Sequence, residues 1–219
     1  MERIILGVDA IHFLEQEGFP VLTSRMTKDE AEAARIASEI GFPVALKICS
    51  PYAIHKTEIE GVRYPLNNPL EAQEAFADLV EKFRSANPGK PLDGVMVQRL
   101  GAGIELIVGV HRDQQFGPVI MLGLGGIFVE AIKDVSFRLI PIEKADARDM
   151  IEELAAYRIL TSPRQKGINI ALLEDLLLKV SRLIIKHGSI KEVDMNPVFT
   201  SNAGIHICDA RITEEFDCL

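Results

Sequence analysis

No apolar run in the 219-residue sequence reaches the roughly 18–20 residues that a membrane-crossing helix needs. No long basic run offsets the formal net charge of −8. Both absences argue against a bilayer, an anionic membrane surface or a nucleic acid as partner, while a local pocket could still take a phosphate anion. Cysteine is scarce: Cys49, Cys208 and Cys218 are odd in number and widely spaced, with neither a CxxC zinc pattern nor a disulfide framework. The opening stretch MERIILGVDAIHFLEQEG has charges on both sides of a short apolar run and no cleavage site. A signal peptide is therefore not expected, and the cytoplasm is the expected compartment. The usual short motifs are missing too. There is no GxxxxGK[ST], and the glycines of GLGG, Gly123 to Gly126, miss the GxGxxG pattern because Phe128 stands in the third place. His12, His55, His111, His187 and His206 show no HxxxH or HxH spacing, and no GxSxG elbow occurs. The Gly123–Gly126 run is expected instead to allow a close backbone approach or a strand bend.

What is present reads as a globular chain, 47% hydrophobic and 26% charged. A helix is expected around Val8–Gln16, ending at Gly18. TKDE offers Thr27 as an N-cap with Glu30 three residues on, before a helix that Gly41 stops. PVALKIC follows as a buried strand. Asn68 as cap and Pro69 in the first turn open a further helix, with Leu70, Phe76, Leu79, Val80 and Phe83 on its apolar side. SANPGKPLDG, rich in Pro and Gly, reads as a lobe boundary. After it, GVMVQRL, IELIVGVHR and PVIMLGLGG read as an antiparallel meander. Two helices come next, the second striped by Leu172, Leu173, Leu176, Leu177, Val180, Leu183 and Ile184, and two last strands close the chain. The expected class is α+β in two lobes, the smaller over about residues 20–93 and the larger over about 94–219 with the N-terminal helix.

A few groups could carry chemistry. Lys47 lies inside the apolar strand between Leu46 and Ile48. It must either alternate to an exposed face or direct its ammonium at an anion such as a phosphate. His55, in the polar segment SPYAIHKTEIEGV, is either a solvated loop residue or a reactive group. Asn196 and Asp209, near the ends of the last two strands, are ordinary turn residues taken singly. Facing each other across a hairpin, they would match the one or two protein oxygens that nucleotide-bound magnesium takes.

Taken in order, FPVALKICSPYAIHKTEIEGV, GVMVQRLGAGIELIVGVHRDQQFGPVIMLGLGGIFVE and EVDMNP…CDARI resemble the ATP-grasp β subunit of ADP-forming acyl-CoA synthetases, relatives of succinyl-CoA synthetase. The resemblance spans nearly the whole chain and implies an ATP-grasp fold with a nucleotide cleft between its lobes. It implies Lys47 on the ATP phosphates, Val97, Gln98, Arg99 and Leu100 at the adenine, Glu105 in the next strand, Asn196 and Asp209 on magnesium, and Arg211 as a nearby cation. It also implies His55 as the phosphate carrier between ADP/ATP and a CoA-binding α subunit, in an α2β2 assembly. The chain departs from the family in three places: Glu60 where a glycine is usual, Arg99 where a glutamate is usual, and Arg164 in SPRQKG as a displaced match. Two other functions stay open: a stand-alone ATP-grasp carboxylate–amine ligase, and a nucleotide-sensing protein without turnover.

Overall fold

The computed structural model describes residues 2–53, 60–126, 134–162 and 167–215. The chain divides into two compact units, residues 22–101 and residues 1–21 with 102–219.

The smaller unit is a four-stranded antiparallel sheet backed by two helices. Its elements run β2 (Ser24–Thr27), α2 (Glu30–Ile40), β3 (Val44–Cys49), β4 (Val62–Leu66), α3 (Pro69–Ala86) and β5 (Gly94–Arg99), with strand order β2-β5-β3-β4. Alternation sends Val44, Leu46 and Ile48 of β3 and Val95 and Val97 of β5 to one face. There they meet Ala33, Ile36 and Ala37 of α2 and Ala72, Phe76, Leu79 and Phe83 of α3. Asn68 caps α3 as expected, its side-chain oxygen accepting from Glu71 N at 3.0 Å. The cap of α2 is Asp29, which accepts from Glu32 N at 2.8 Å. Thr27, the expected cap, is drawn into β2, where it pairs with Val95.

Two expectations are corrected by β5. The run GVMVQRL does not start a meander with the strands after it; it lies between β2 and β3 in the small sheet. The boundary expected near residue 93 therefore falls after Gly101.

The larger unit opens with β1 (Glu2–Leu6) and α1 (Gly7–Gln16), and continues with β6 (Ile104–Asp113), β7 (Gly117–Leu124) and β8 (Val135–Leu139). After these come α4 (Lys144–Glu152), α5 (Ile170–Lys186), β9 (Ile190–Thr200), β10 (Ile205–Ile207) and β11 (Ala210–Glu215). The sheet order is β1-β11-β9-β6-β7-β8, with β10 branching from β9. Its core joins Leu106, Val108, Val110, Ile120, Leu122, Val193, Met195 and Ile212 to the helices. The expected stripe on α5 is there: Leu173, Leu176, Leu177, Val180, Leu183 and Ile184 are buried and Leu172 packs beside them. At about 1.5–3 kcal/mol for each fully buried aliphatic chain, this one helix face makes a large contribution to the unit.

Candidate functional site

In each unit the helices cover one face of the sheet, and the sequence-derived candidates gather on the other. In the small unit, Lys47 pairs in register with Met96 on one side and Val62 on the other, on the face turned away from α2 and α3. Its residue exposure is 8%, so the side chain is largely covered by protein. Gln98 shares that face, opposite Ala45, and is fully buried. Buried polar groups of this kind are costly unless they are bonded, and a second anionic or polar ligand strengthens the site. Val97 goes the other way, into the apolar core, so its side chain is not among the groups this face presents.

Past β5 the backbone is fixed by two hydrogen bonds, Arg99 N to Thr23 O at 2.9 Å and Leu100 N to Pro43 O at 3.1 Å. The Arg99 side chain leaves this line: its Nη1 lies 3.4 Å from Ile40 O, at the carboxyl end of α2, where the helix dipole favours a cation.

His55 lies outside the described residues, as does Arg164. The chain on either side of the His55 segment is well tied. Ser50 Oγ donates to Pro91 O at 3.0 Å, and Ile48 N donates to Gly61 O at 2.9 Å. Glu60 has a φ of +50°, in the region glycine prefers. Its carboxylate accepts from Lys82 of α3, with Arg63 Nη2 at 3.5 Å. The Lys82 hydrogen bond is the main reason its carboxyl is held below the usual range, and Glu60 shares Lys82 and Arg63 with Asp78, whose Oδ2 lies 2.5 Å from Arg63 Nη2.

In the large unit, β9 and β11 bring Asn196 and Asp209 together. Met195 pairs with Ala210, and Asn196 N donates to Asp209 O at 3.2 Å. Asp209 Oδ1 accepts from Ala210 N at 3.0 Å. One residue pair further on, Arg211 stands opposite Asp194, which also pairs with Gly109 of β6. Burial, then the negative charges of Glu192 and Asp209, push the Asp194 carboxyl above its ordinary value, and Arg211 pulls it part of the way back. Sequence reasoning passed over Asp194, although its place two residues before Asn196 in EVDMNP puts both on one side of a strand.

Glu105 sits on β6 on the same helix-free face by alternation, and the Gly123–Gly126 run explains its setting. Gly125 N donates to Glu105 O at 2.7 Å. A Cβ on Gly125 would lie 2.9 Å from that carbonyl, and one on Gly126 3.3 Å from Glu105 Oε2. These glycines allow the close approach expected of them. As a donor set, Asn196 and Asp209 supply one amide and one carboxylate oxygen on adjacent strands. That suits magnesium, which keeps several waters and phosphate oxygens; among the described residues no cluster of three or more His, Cys, Asp or Glu forms a fuller cage.

Two antiparallel sheets, with a lysine on the helix-free face of one and oxygen-bearing side chains on that of the other, agree with an ATP-grasp protein, and residues 2–213 match the ATP-grasp domain family. The chain belongs to the β subunits of ADP-forming acetate–CoA ligases. It is 44% identical over 212 residues to acetate–CoA ligase [ADP-forming] I subunit beta of Pyrococcus furiosus, covering 96% of this chain and 91% of the relative. It is 40% identical to acetate–CoA ligase [ADP-forming] I of Archaeoglobus fulgidus, where the match covers 95% of this chain and 30% of that longer one. Among solved structures, acetyl-coenzyme A synthetase 1 of Ca. Korarchaeum cryptofilum, in complex with coenzyme A and Ca-AMPCP, superposes with a TM-score of 0.92 at 40% identity. That match covers 97% of this chain and 94% of the other. A second structure of that protein, with coenzyme A and Mg-AMPPCP, has a phosphohistidine segment pointing towards the nucleotide site and gives a TM-score of 0.83 at 38% identity, over 97% and 93% of the two chains. No described helix of this chain is long and apolar enough to cross a membrane.

Proposed function

We propose that this chain is the nucleotide-binding subunit of an ADP-forming acid–CoA ligase, moving phosphate between His55 and ADP or ATP. It works with a CoA-binding α subunit, in an α2β2 assembly, in the cytoplasm where both CoA and ATP are dissolved. The observation that carries the reading is the burial of Lys47 on the helix-free face of its sheet. An ammonium on that face, beside buried Gln98, is placed for an anion.

In the ATP-forming direction, a β-phosphate oxygen of ADP attacks phosphorus on His55. The N–P bond breaks, and the released imidazole nitrogen takes a proton, leaving neutral histidine and ATP. Lys47 neutralises charge on the phosphoryl oxygens in transfer, and Gln98, Leu100 and the Arg99 backbone position the base end. Glu105 and Arg211 are the candidate nucleotide contacts of the large unit. Asn196 and Asp209 would hold magnesium, which when bound offsets polyphosphate charge and aligns its oxygens. The acyl and CoA chemistry stays with the partner.

Incubation with labelled ATP and magnesium tests this directly. Wild type should gain acid-labile phosphate and His55→Ala should not. Absence of label on the wild type, or equal label on both, overturns the relay. An amide product made by the chain alone would indicate a carboxylate–amine ligase instead.

A further inference from the structure

We infer that Asp134 is a positioning residue for Glu105, fixing where the Glu105 carboxylate stands towards the nucleotide. The inference rests on the function proposed above, in which Glu105 is a candidate nucleotide contact. Asp134 comes just before β8 and extends its pairing with β7, since its carbonyl accepts from Leu124 N at 3.1 Å. The pairs Leu106–Leu124 and Gly123–Val135 set Asp134 in one row with Leu106 and Leu124, on the face that the helices cover. Its carboxylate enters that layer: Oδ1 accepts from Ala155 N and Oδ2 from Ala156 N, each at 2.8 Å. Two consecutive amides, at the start of the one-turn helix Tyr157–Leu160, are thus held by one side chain. A carboxylate suits that task, having two acceptor oxygens, no donor, and a charge that strengthens both bonds.

From Asp134 to Glu105 the path crosses a single strand. Successive amides of β7 point to opposite neighbours: Leu124 N reaches Asp134 O on one side, and Gly125 N reaches Glu105 O at 2.7 Å on the other. Glycines keep these three strands close. A Cβ on Gly123 would lie 2.9 Å from Val135 Cγ1 and 3.3 Å from Asp134 O, and one on Gly125 2.9 Å from Glu105 O. A Cβ on Gly126 would lie 3.3 Å from Glu105 Oε2, so the same run of backbone also bears on the carboxylate itself. Contacts this tight leave little slack, and a shift at Asp134 is passed on to Glu105. Glu105 is on the opposite, helix-free face, so Asp134 acts along this path and is not itself a nucleotide contact.

ADP binding by calorimetry, over a double-mutant cycle in the full chain, tests this. Asp134→Ala should weaken ADP affinity about tenfold, within the usual range for coupled neighbours. Asp134→Asn keeps the shape and one acceptor oxygen; it should fall between the alanine variant and wild type, and it carries the cycle if the alanine protein does not fold. Ser136→Ala is the control for stability alone. It removes a buried bond to Met150 O, 2.8 Å long, from the same strand, so it should lower the melting midpoint and leave ADP affinity unchanged. Glu105→Gln should itself weaken ADP binding, and adding either Asp134 variant to it should cause no further loss. Wild-type affinity in both Asp134 variants overturns the inference, and so does an equal further loss in the Glu105→Gln chain. A loss in Ser136→Ala that matches Asp134→Ala also overturns it, leaving Asp134 as a stabilising residue. All three results leave the proposed function standing. Full ADP affinity in Glu105→Gln overturns the inference together with the contact role of Glu105, whereas a wild-type chain that binds no ADP overturns the proposed function itself.

Discussion

Replacing Gly125 with alanine should lower the stability of the large unit and weaken nucleotide binding together, through one displaced residue. The added Cβ would lie 2.9 Å from both the carbonyl carbon and the carbonyl oxygen of Glu105 and 3.0 Å from the Glu105 Cβ. Contacts this short do not persist, so either the Gly125 segment or Glu105 must move. Separating them stretches the Gly125 N to Glu105 O bond, now 2.7 Å. Overpacking of this kind costs about 1–3 kcal/mol, and the loss of glycine's unfolded-state freedom returns about 0.4–1 kcal/mol. A net loss of about 1–2 kcal/mol corresponds to a fall in midpoint of roughly 2–8 °C for a domain of this size. Gly188→Ala is the matched control: a Cβ there meets nothing within 4 Å, so its midpoint should stay the same or rise slightly. Thermal unfolding followed by circular dichroism, with ADP affinity by calorimetry, reads both consequences. A Gly125→Ala protein that melts with wild type and binds ADP unchanged would refute the close-approach reasoning.

Three further outcomes are expected. Asn68→Ala removes the side-chain acceptor of Glu71 N and should cost about 1 kcal/mol in urea unfolding of the small unit, with helix α3 fraying at its start in hydrogen exchange. Lys47→Met should weaken ADP binding at least about 30-fold, since a buried charged contact typically contributes 2 kcal/mol or more. Asp194→Asn should raise the melting midpoint at pH 7 and leave it unchanged near pH 3. The folded carboxyl sits above its unfolded value, chiefly through burial, so its ionised form penalises the folded state only once pH rises past the unfolded pKa. A larger gain at acid pH than at pH 7 would contradict that sign.

Much of this was legible in the residues, and the misreadings share a cause. Asn68 and the α5 stripe were readable because caps and helical periodicity are local. Lys47 stood out because a charge inside PVALKIC must be accounted for wherever the strand lies. The place of β5 was not readable: GVMVQRL carries only local turn signals, while its partners are SRMT and VALKIC, far back in the chain. Thr27 and Asp29 are both competent caps in TKDE; the pairing of Thr27 with Val95, again non-local, decides for Asp29. Val97 to Leu100 came from the family resemblance as a linker strand, and an unbroken apolar run does not say which of their side chains share a face. Only the sheet register shows Val97 in the core and Gln98 opposite. Asp194 was passed over because what distinguishes it is its neighbours Glu192, Asp209 and Arg211, assembled from two strands.

The balance of charge on the large unit's face bears on what metal removal should do. Asp194, Asp209 and Glu192 crowd there against Arg211 alone among the charged groups that set the Asp194 carboxyl, and their repulsion adds to the burial that raises it. A bare polyphosphate approaching such a face meets like charge at close range. The oxygen pair Asn196 and Asp209 is therefore useful only if a divalent cation accompanies the nucleotide. On this account chelation lowers affinity and not merely rate: with EDTA present, ADP binding by calorimetry should weaken by an order of magnitude or more. Asp209→Asn, which removes one repelling charge along with one ligand, should lose less affinity on chelation than wild type does. An Asp209→Asn protein that loses as much as wild type would show that the carboxylates do not set the metal requirement.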